Sequence, residues 1–162
     1  MSFPSNHPSK QDFEDFHYKK DPWSTGRLDF HELVRGEIIK RVLKSLLEVT
    51  QRSKHLDIGS GEGSLLSRVK FCRQTIGLEI STRAIARAKL LDPDIKYFEV
   101  PSNKSRLNEI IPKSKYNLIT IFETLYYLPD QRQKQLLQDA YDYLENNGIL
   151  AVSVPITGAS QY

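Results

Sequence analysis

The chain has 162 residues, of which 39% are hydrophobic and 27% charged, and its net charge is +3; these values are typical of one globular domain with its own core and do not by themselves indicate a nucleic-acid-binding protein. The single cysteine, Cys72, excludes an internal disulfide framework, which favours a reducing compartment. The first thirty residues hold no apolar run typical of a secretory signal peptide, and no segment has the ~20 apolar residues that span a bilayer, so we expect a cytoplasmic protein that does not enter a membrane.

The N-terminal part of the chain, residues 1–28, is predicted to be a strap or lid on a main domain of residues 29–162. Its first twelve residues are rich in Ser, Pro, Asn and Lys, which is typical of a loose segment. From Asp12 to Trp23 aromatic and charged residues alternate, which indicates that this segment covers something. Two compatible interpretations stay open: the segment packs on the core, or it closes over a ligand.

A long helix is predicted to open the main domain, with Asp29 as its N-cap and its end near Val49, because apolar residues recur there at helical spacing. No cluster of Cys and His has the spacing of metal ligands, so no metal site is predicted. The histidines are interpreted as surface or structural residues; they are His7, His17, His31 and His55.

The sequence from His55 to Leu66, H-L-D-I-G-S-G-E-G-S-L-L, predicts a strand, a tight turn and the start of a helix. Its glycines stand at every second position, and glycine allows the backbone to adopt a positive φ and a ligand to lie against the chain. The helix that follows presents free N–H groups and the positive end of its dipole to an anionic group. This combination predicts a site for a nucleotide-type ligand.

Strands and helices alternate through the rest of the chain. The further predicted strands are 75–80, 95–100, 116–122 and 149–154. Ser81 is the candidate N-cap of one intervening helix, and a turn at Asn147 and Gly148 precedes the last strand. This alternation predicts an α/β fold, with a doubly wound, mainly parallel sheet and helices on both of its faces.

The glycine spacing, D-x-G-x-G-x-G, resembles the first motif of the class I S-adenosylmethionine (SAM)-dependent methyltransferases and disfavours the G-x-G-x-x-G loop of nicotinamide-dependent oxidoreductases. The resemblance implies a Rossmann-like fold, SAM as the cofactor and S-adenosylhomocysteine (SAH) as the product. It implies that Asp57 lies near the ammonium group of SAM and that the loop wraps the methionine part. The loop residues are Gly59, Ser60, Gly61 and Gly63. It also implies an acidic residue on the ribose hydroxyls, where Glu79 stands 22 positions after Asp57 with Ile80 beside it.

A second motif, Y-N-L-I-T-I-F-E-T-L-Y-Y-L at residues 116–128, resembles the fourth-strand motif of the same family. The resemblance implies that Phe122 and Glu123 line the sulfonium of the cofactor and the acceptor. Tyr127 stands where many relatives have histidine; with an ordinary pKa of about 10 its phenol is a poor general base, but it can orient an amine or a hydroxyl. Glu123 and Tyr127 are the candidate catalytic residues, and a packed, structural tyrosine is the alternative for Tyr127.

Two features depart from the family pattern. The acidic residue expected at the adenine, just after the third strand, is missing, and Ser102 is the candidate substitute, with Asn103 or the main chain as alternatives. The last two of the family's seven strands have no counterpart. We therefore expect either a fragment or a reduced form whose strand-five edge is covered by the strap or by a second copy in a homodimer.

The start of the chain is also loosely similar to nodulation-type N-methyltransferases, in which this region closes over the cofactor. The similarity covers the sequence Asp-Pro-Trp and a few residues of the first long helix. It nominates Trp23 and Arg35 as cofactor contacts.

Taken with the motifs, these residues predict a methyltransferase of EC 2.1.1 type that transfers a methyl group from SAM to N or O of a small-molecule acceptor. Two other functions stay open. An RNA methyltransferase would use basic residues that are sparse here, at Lys104, Arg106, Lys113 and Lys115. A non-catalytic SAM-binding or interaction protein would fit the missing strands and the lack of a marked general base.

Overall fold

The fold is that of a computed structural model in which residues 7–18, 30–48, 50, 52–70 and 72–154 are described, and of residues 30–32 only the backbone. The helices are α1 (Lys10–Phe16), α2 (Phe30–Leu46), α3 (Ser64–Val69), α4 (Thr82–Leu91), α5 (Leu107–Ile110) and α6 (Asp130–Tyr143). The strands are β1 (Lys54–Ile58), β2 (Gln74–Glu79), β3 (Lys96–Glu99), β4 (Tyr116–Phe122) and β5 (Leu144–Ser153). A short 3₁₀ turn, Leu125–Tyr127, follows β4.

The five strands form one parallel sheet in the order β3-β2-β1-β4-β5. The strand order reverses at β1, which pairs with β2 on one side and with β4 on the other. In sheets of this kind, ligands bind outside the carboxyl ends of the strands at the switch point. The predicted Rossmann-like α/β fold is confirmed, and its expected ligand position lies at the ends of β1 and β4.

Alternate residues of the central strands point into two separate cores, one on each face of the sheet. Ile119 belongs to a core that α5 and α6 cover. Leu118, its neighbour in β4, belongs to a second core with Leu43 of α2, with Leu47 just after that helix, and with Cys72. The Cys72 thiol is buried, and burial raises its pKa to about 11.

The helix ends follow local capping chemistry in part. The predicted N-cap of α4 is confirmed, because the Ser81 hydroxyl accepts a hydrogen bond from the N–H of Ala84 at 3.1 Å. Helix α2 ends at Leu46, a few residues earlier than predicted, because the chain turns between Thr50 and Ser53 to enter β1. Its predicted N-cap, Asp29, lies outside the described residues.

The start of β5 differs from the sequence-based prediction. Strand β5 begins at Leu144, directly after α6, and its register on β4 jumps from Tyr116↔Leu144 to Leu118↔Ile149. The intervening residues form a bulge that contains Asn147 at φ 64 instead of a turn ahead of the strand. The cause is tertiary: the last residue of α6, Tyr143, stacks on Tyr116 with ring centroids 6.3 Å apart, so pairing starts at once.

Within the ranges given above, no helix is both long and apolar enough to cross a bilayer. Nor do the described side chains bring three His, Cys, Asp or Glu residues together in a way that would hold a metal ion.

Candidate functional site

A cavity of about 570 Å³ lies at the carboxyl ends of β1, β2 and β4, beside the switch point of the sheet. Its volume is in the usual range for small-molecule sites. Most of the predicted site residues line it: Arg35, Asp57, Gly59, Ser60, Gly61, Glu79, Ile80, Phe122, Glu123 and Tyr127. Residues far apart in the sequence therefore meet in one place.

Two of the predicted residues within the described ranges, Ser102 and Gly63, are not among those that line the cavity. Ser102 is exposed, because the chain turns directly after β3, where the Lys104 N–H donates to the carbonyl of Pro101, and Ser105 lines the cavity instead. Gly63 lies behind the loop, at the start of α3. Trp23 lies outside the described residues.

The loop after β1 depends on glycine for two different physical reasons. Gly59 has φ 82, and a Cβ there would lie 2.1 Å from the Thr124 hydroxyl oxygen, so a side chain would clash. Gly63 has φ 77, and a Cβ there would lie 2.6 Å from the hydroxyl oxygen of Tyr97. Gly61 also has a positive φ, but a Cβ there would meet no atom of the described residues within 4 Å. The middle of the loop is thus the part that leaves open space.

Glu79, at the end of β2, holds this loop by accepting main-chain hydrogen bonds. One carboxylate oxygen, Oε2, accepts the N–H of Gly61 at 2.8 Å, and the other, Oε1, accepts the N–H groups of Ile80 and Ser81 at 2.9 Å each. The carboxyl is buried, and burial raises its pKa, against the opposing effect of these three hydrogen bonds. Glu79 therefore joins the end of β2 to the glycine loop through main-chain hydrogen bonds.

Asp57 lies at the end of β1 and is buried under the same loop. Its Oδ1 accepts a hydrogen bond of 2.5 Å from the Thr120 hydroxyl, which in turn lies 2.7 Å from Nε2 of His55. Burial raises the pKa of Asp57 to about 7, an effect that the Thr120 hydrogen bond opposes and the charge of Glu79 reinforces. Burial also lowers the pKa of His55 to about 3, so this histidine is neutral.

The other end of the cavity carries Glu123, Arg35 and two tyrosines. Glu123 has a positive φ of 51, a strained conformation for a residue with a side chain. Its Oε1 accepts hydrogen bonds from the Arg35 guanidinium at 3.2 Å and from the Ser153 hydroxyl at 2.9 Å. The Tyr126 hydroxyl donates to that of Tyr127 at 3.0 Å. Burial raises the pKa of both phenols, so this end presents a carboxylate beside neutral hydroxyls.

Helix α1, within the predicted strap, covers the cavity. The Phe13 ring meets the edge of Tyr127 at 90°, with centroids 5.4 Å apart. On the opposite side, Glu14 accepts the N–H of Thr82 at 2.7 Å and thus caps α4. The Lys10 ammonium pairs with the carboxylate of Glu99 at the end of β3. The described part of the strap therefore contacts both sides of the site.

Sequence reasoning missed His17, which was interpreted as surface or structural. It is 2% exposed, lines the cavity, and its Nδ1 donates to Glu62 Oε1 at 3.0 Å. Arg87 donates to the same oxygen at 2.5 Å. Burial raises the pKa of Glu62, but these two hydrogen bonds outweigh it and hold the pKa below its ordinary value. The sequence did offer one signal for it: the carboxylate of Glu62, between two loop glycines, predicts a cationic partner nearby.

Comparison with solved structures places this architecture among methyltransferases. The N-methyltransferase NodS from Bradyrhizobium japonicum WM9, solved with S-adenosyl-L-homocysteine, shares 24% identity and a TM-score of 0.69 over 87% of this chain and 70% of its own. Streptomyces venezuelae DesVI shares 21% identity and a TM-score of 0.62 over 96% and 61% of the two chains. A SAM-dependent methyltransferase from Leishmania major shares 21% identity and a TM-score of 0.69 over 87% and 58%.

The chain thus spans between 58% and 70% of the length of these three proteins, and at this level of identity the likeness shows a shared fold. No curated protein sequence matches the chain. A family model described as a methyltransferase domain matches residues 30–161, which covers the glycine loop, Glu79 and the motif after β4. The chain therefore belongs to the methyltransferase-domain family, and its fold is that of the class I SAM-dependent methyltransferases.

Proposed function

We propose that the chain binds SAM in this cavity and transfers its methyl group to N or O of a small-molecule acceptor. The observation that carries the proposal is the glycine loop fixed by Glu79 at the switch point, with Asp57 on one side of the cavity and Glu123 on the other. Next to Gly61 a Cβ would meet none of the described residues within 4 Å, and this space fits a ligand lying against the main chain.

The lining residues suit the parts of the cofactor differently. Asp57 offers a carboxylate to the ammonium group, and Glu79 is the acceptor for the ribose. A carboxylate can accept roughly four hydrogen bonds. On Glu79, three main-chain N–H groups already donate to it, so about one acceptor position remains for a ribose hydroxyl. Apolar lining after β3, with Val100 and Leu107, is suited to the adenine.

The reaction makes limited demands on the protein. SAM, when bound, supplies a methyl group already activated on a sulfonium, so the protein must align the acceptor and exclude water. Tyr126 and Tyr127, whose pKa values are raised, are poor proton acceptors at neutral pH, and Glu123 is held by Arg35 and Ser153. An amine that reacts as its neutral form needs no base, so the geometry favours N over O as the acceptor atom.

A small acceptor fits these contacts better than RNA does. Of the sparse basic residues, Arg106 is engaged by Asp139 with Nη2 and Oδ1 2.7 Å apart, and the Lys115 ammonium donates to the carbonyl of Leu144 at 2.9 Å. Cations already committed within the fold contribute less to a phosphate-binding surface. The similarity to a protein described as an N-methyltransferase also supports nitrogen as the acceptor atom.

The test is calorimetric titration of the full chain with SAH, comparing the parent with Glu79→Gln. An amide keeps one acceptor oxygen but turns its N–H₂ toward main-chain donors, so the loop loses its attachment and SAH binding should weaken about tenfold or more. Glu145→Gln, an exposed glutamate in β5, is the matched control and should bind as the parent does.

Failure of the parent to bind SAH would contradict the proposed site. Binding of SAH without methyl transfer to any amine or hydroxyl in an acceptor panel would support instead the non-catalytic SAM-binding protein.

We further propose that the chain forms a homodimer through the β5 edge. Among the described strands, β5 is paired on one side only, and its side chains include Val152, 41% exposed. An edge strand pairs readily with a second copy of itself, running antiparallel across a two-fold axis.

A further inference from the structure

The hydrogen bonds beneath the glycine loop have a defined direction. The Thr120 hydroxyl has one hydrogen, and it donates this hydrogen to Oδ1 of Asp57 at 2.5 Å. Its oxygen must then accept from His55, whose Nε2 lies 2.7 Å away. His55 is therefore the tautomer with its proton on Nε2, and the three side chains form a relay that runs from His55 through Thr120 to Asp57.

The surroundings of His55 favour the same direction. Its other ring nitrogen, Nδ1, is buried and has no hydrogen-bond partner among the described residues. A buried N–H without a partner is rarer in proteins than an acceptor without one, so the proton belongs on Nε2. Reversing the relay would move the proton to Nδ1 and leave a buried donor unpaired. The relay thus keeps Oδ1 of Asp57 as an acceptor, and a proton that enters this carboxyl must sit on Oδ2.

We propose that His55 and Thr120 are positioning residues that hold Asp57 through Oδ1, and that Oδ2 exchanges a bound proton for the ammonium group of the cofactor when SAM or SAH binds. The inference rests on the proposed function, since it takes the cavity that Asp57 lines as the cofactor site. In the exchange the O–H bond of Asp57 breaks, and the released proton bonds to solvent or buffer. No other covalent bond forms or breaks. The carboxylate that remains is the partner of the ammonium group.

The charged and titratable groups around Asp57 are compatible with this exchange. From β2, the Glu79 carboxylate repels a second negative charge, which favours a proton on Asp57 before the ligand binds. From β3, the Tyr97 hydroxyl stays protonated, because burial raises its pKa. Burial of Asp57 itself acts in the same sense, so the carboxyl holds a proton for much of the time at neutral pH. The remaining titratable groups that line the cavity are His17, Arg35, Glu62, Lys104, Glu123, Tyr126, Tyr127 and Arg132.

The test measures protons released on binding, by calorimetry of the full chain in two buffers with different ionisation enthalpies. SAH is compared with 5′-methylthioadenosine, which has the ribose and adenine but no ammonium group. At pH 6 the parent should release close to one proton more with SAH than with methylthioadenosine, and the difference should shrink as the pH rises above 7. Equal release with both ligands would overturn the exchange.

Variants at Thr120 test the relay. Thr120→Val has nearly the same shape but no hydroxyl, so the carboxylate loses a stabilising hydrogen bond. Affinity for SAH should fall about tenfold, and the pH at which proton release is half-complete should move upward. Thr120→Ser keeps the hydroxyl and should restore both. His55→Leu should shift the pH profile in the same direction as Thr120→Val, by a smaller amount.

Binding of methylthioadenosine, unchanged within about threefold, shows that each variant is folded. A parental pH profile in a folded Thr120→Val would overturn the positioning role. If the parent binds methylthioadenosine but not SAH, the exchange is overturned; if it binds neither ligand, the proposed function fails as well.

Discussion

At the scale of single residues, Asp57 links the site to the stability of the fold. Its pKa in the folded protein, about 7, lies above the ordinary value of 3.8, because burial penalises the charged form. A group of this kind contributes most stability below the ordinary pKa, and the contribution is lost as the pH rises toward 7. The difference between these two pKa values corresponds to about 4 kcal/mol of stability.

We therefore expect Asp57→Asn, without cofactor, to be more stable than the parent at pH 8 and of similar stability at pH 4. The amide keeps an acceptor for the Thr120 hydroxyl but cannot ionise. Urea denaturation at the two pH values measures the difference. Asp94→Asn, at an exposed position, should change little at either pH. A destabilisation of equal size at both pH values would contradict a buried carboxyl with a raised pKa.

The residues of the glycine loop could be predicted from the sequence, because their signal is local. A positive φ and a close approach of side chains, as at Gly59 with Thr124, restrict the position to glycine whatever lies beyond. The glutamate between two loop glycines predicts a nearby cation, but His17 could not be identified as that partner, since it lies 45 residues from Glu62 and no helix or strand periodicity connects them. Ser102 lined up with a family position in sequence, but a turn directly after β3 exposes it.

At the scale of elements, helix α1 contacts the site through a small number of side chains. Its N-terminus has a capping box between Ser9 and Asp12, so a helix of seven residues is stabilised locally. Glu14 caps α4, and Phe13 packs on Tyr127. A short element held by such polar and edge-on contacts has few buried apolar side chains and opens more readily than the sheet.

We expect Phe13→Ala to speed the dissociation of SAH by about fivefold, because an edge-to-face aromatic pair contributes about 1 kcal/mol. Stopped-flow measurement of SAH release tests this. Gln11→Ala, on the exposed side of the same helix, is the control and should leave the rate unchanged. An unchanged rate in Phe13→Ala would show that α1 does not control access.

The same scale shows where sequence periodicity fails. The alternation of strands and helices predicted every strand of the sheet, since parallel strands buried on both faces are continuous apolar runs. The bulge in β5 had no such signal: Asn147 and Gly148 form a typical turn pair, and the stacking of Tyr143 on Tyr116 decides where pairing begins. Tertiary contact therefore sets the boundary, and local composition does not.

At the scale of the whole molecule, α2 packs on the face of the sheet to which β5 contributes Ile149 and Ala151, and its other side is exposed. Apolar residues stand four apart along this helix and are 39% to 65% exposed; they are Val34, Ile38, Val42 and Leu46. The side of α2 that carries Gly36 packs on α3, and Leu43 packs on the sheet. A two-fold axis perpendicular to the sheet at β5 would bring two copies of the apolar row onto the same face.

In the proposed homodimer, the double variant Ile38→Glu, Val42→Glu should be monomeric in sedimentation velocity, whereas the parent is dimeric. Burying two unpaired carboxylates in an apolar interface costs more free energy than a new contact could offset. Leu90→Glu, 86% exposed on α4 at the other end of the sheet, is the matched control and should remain dimeric. A monomeric parent at high concentration would contradict the proposal.

The buried thiol of Cys72 has a practical consequence. The side chain is covered by α2 and its pKa is about 11, so almost none of it is thiolate at pH 7.5. A disulfide reagent, which the thiolate must attack, therefore reacts with it only when the domain opens. The rate at which a colorimetric disulfide reagent labels the native protein therefore measures how often the core under α2 opens. A cysteine introduced on the surface of α1 would, by contrast, be labelled at once, which allows a single dye to be attached there without removing the natural thiol.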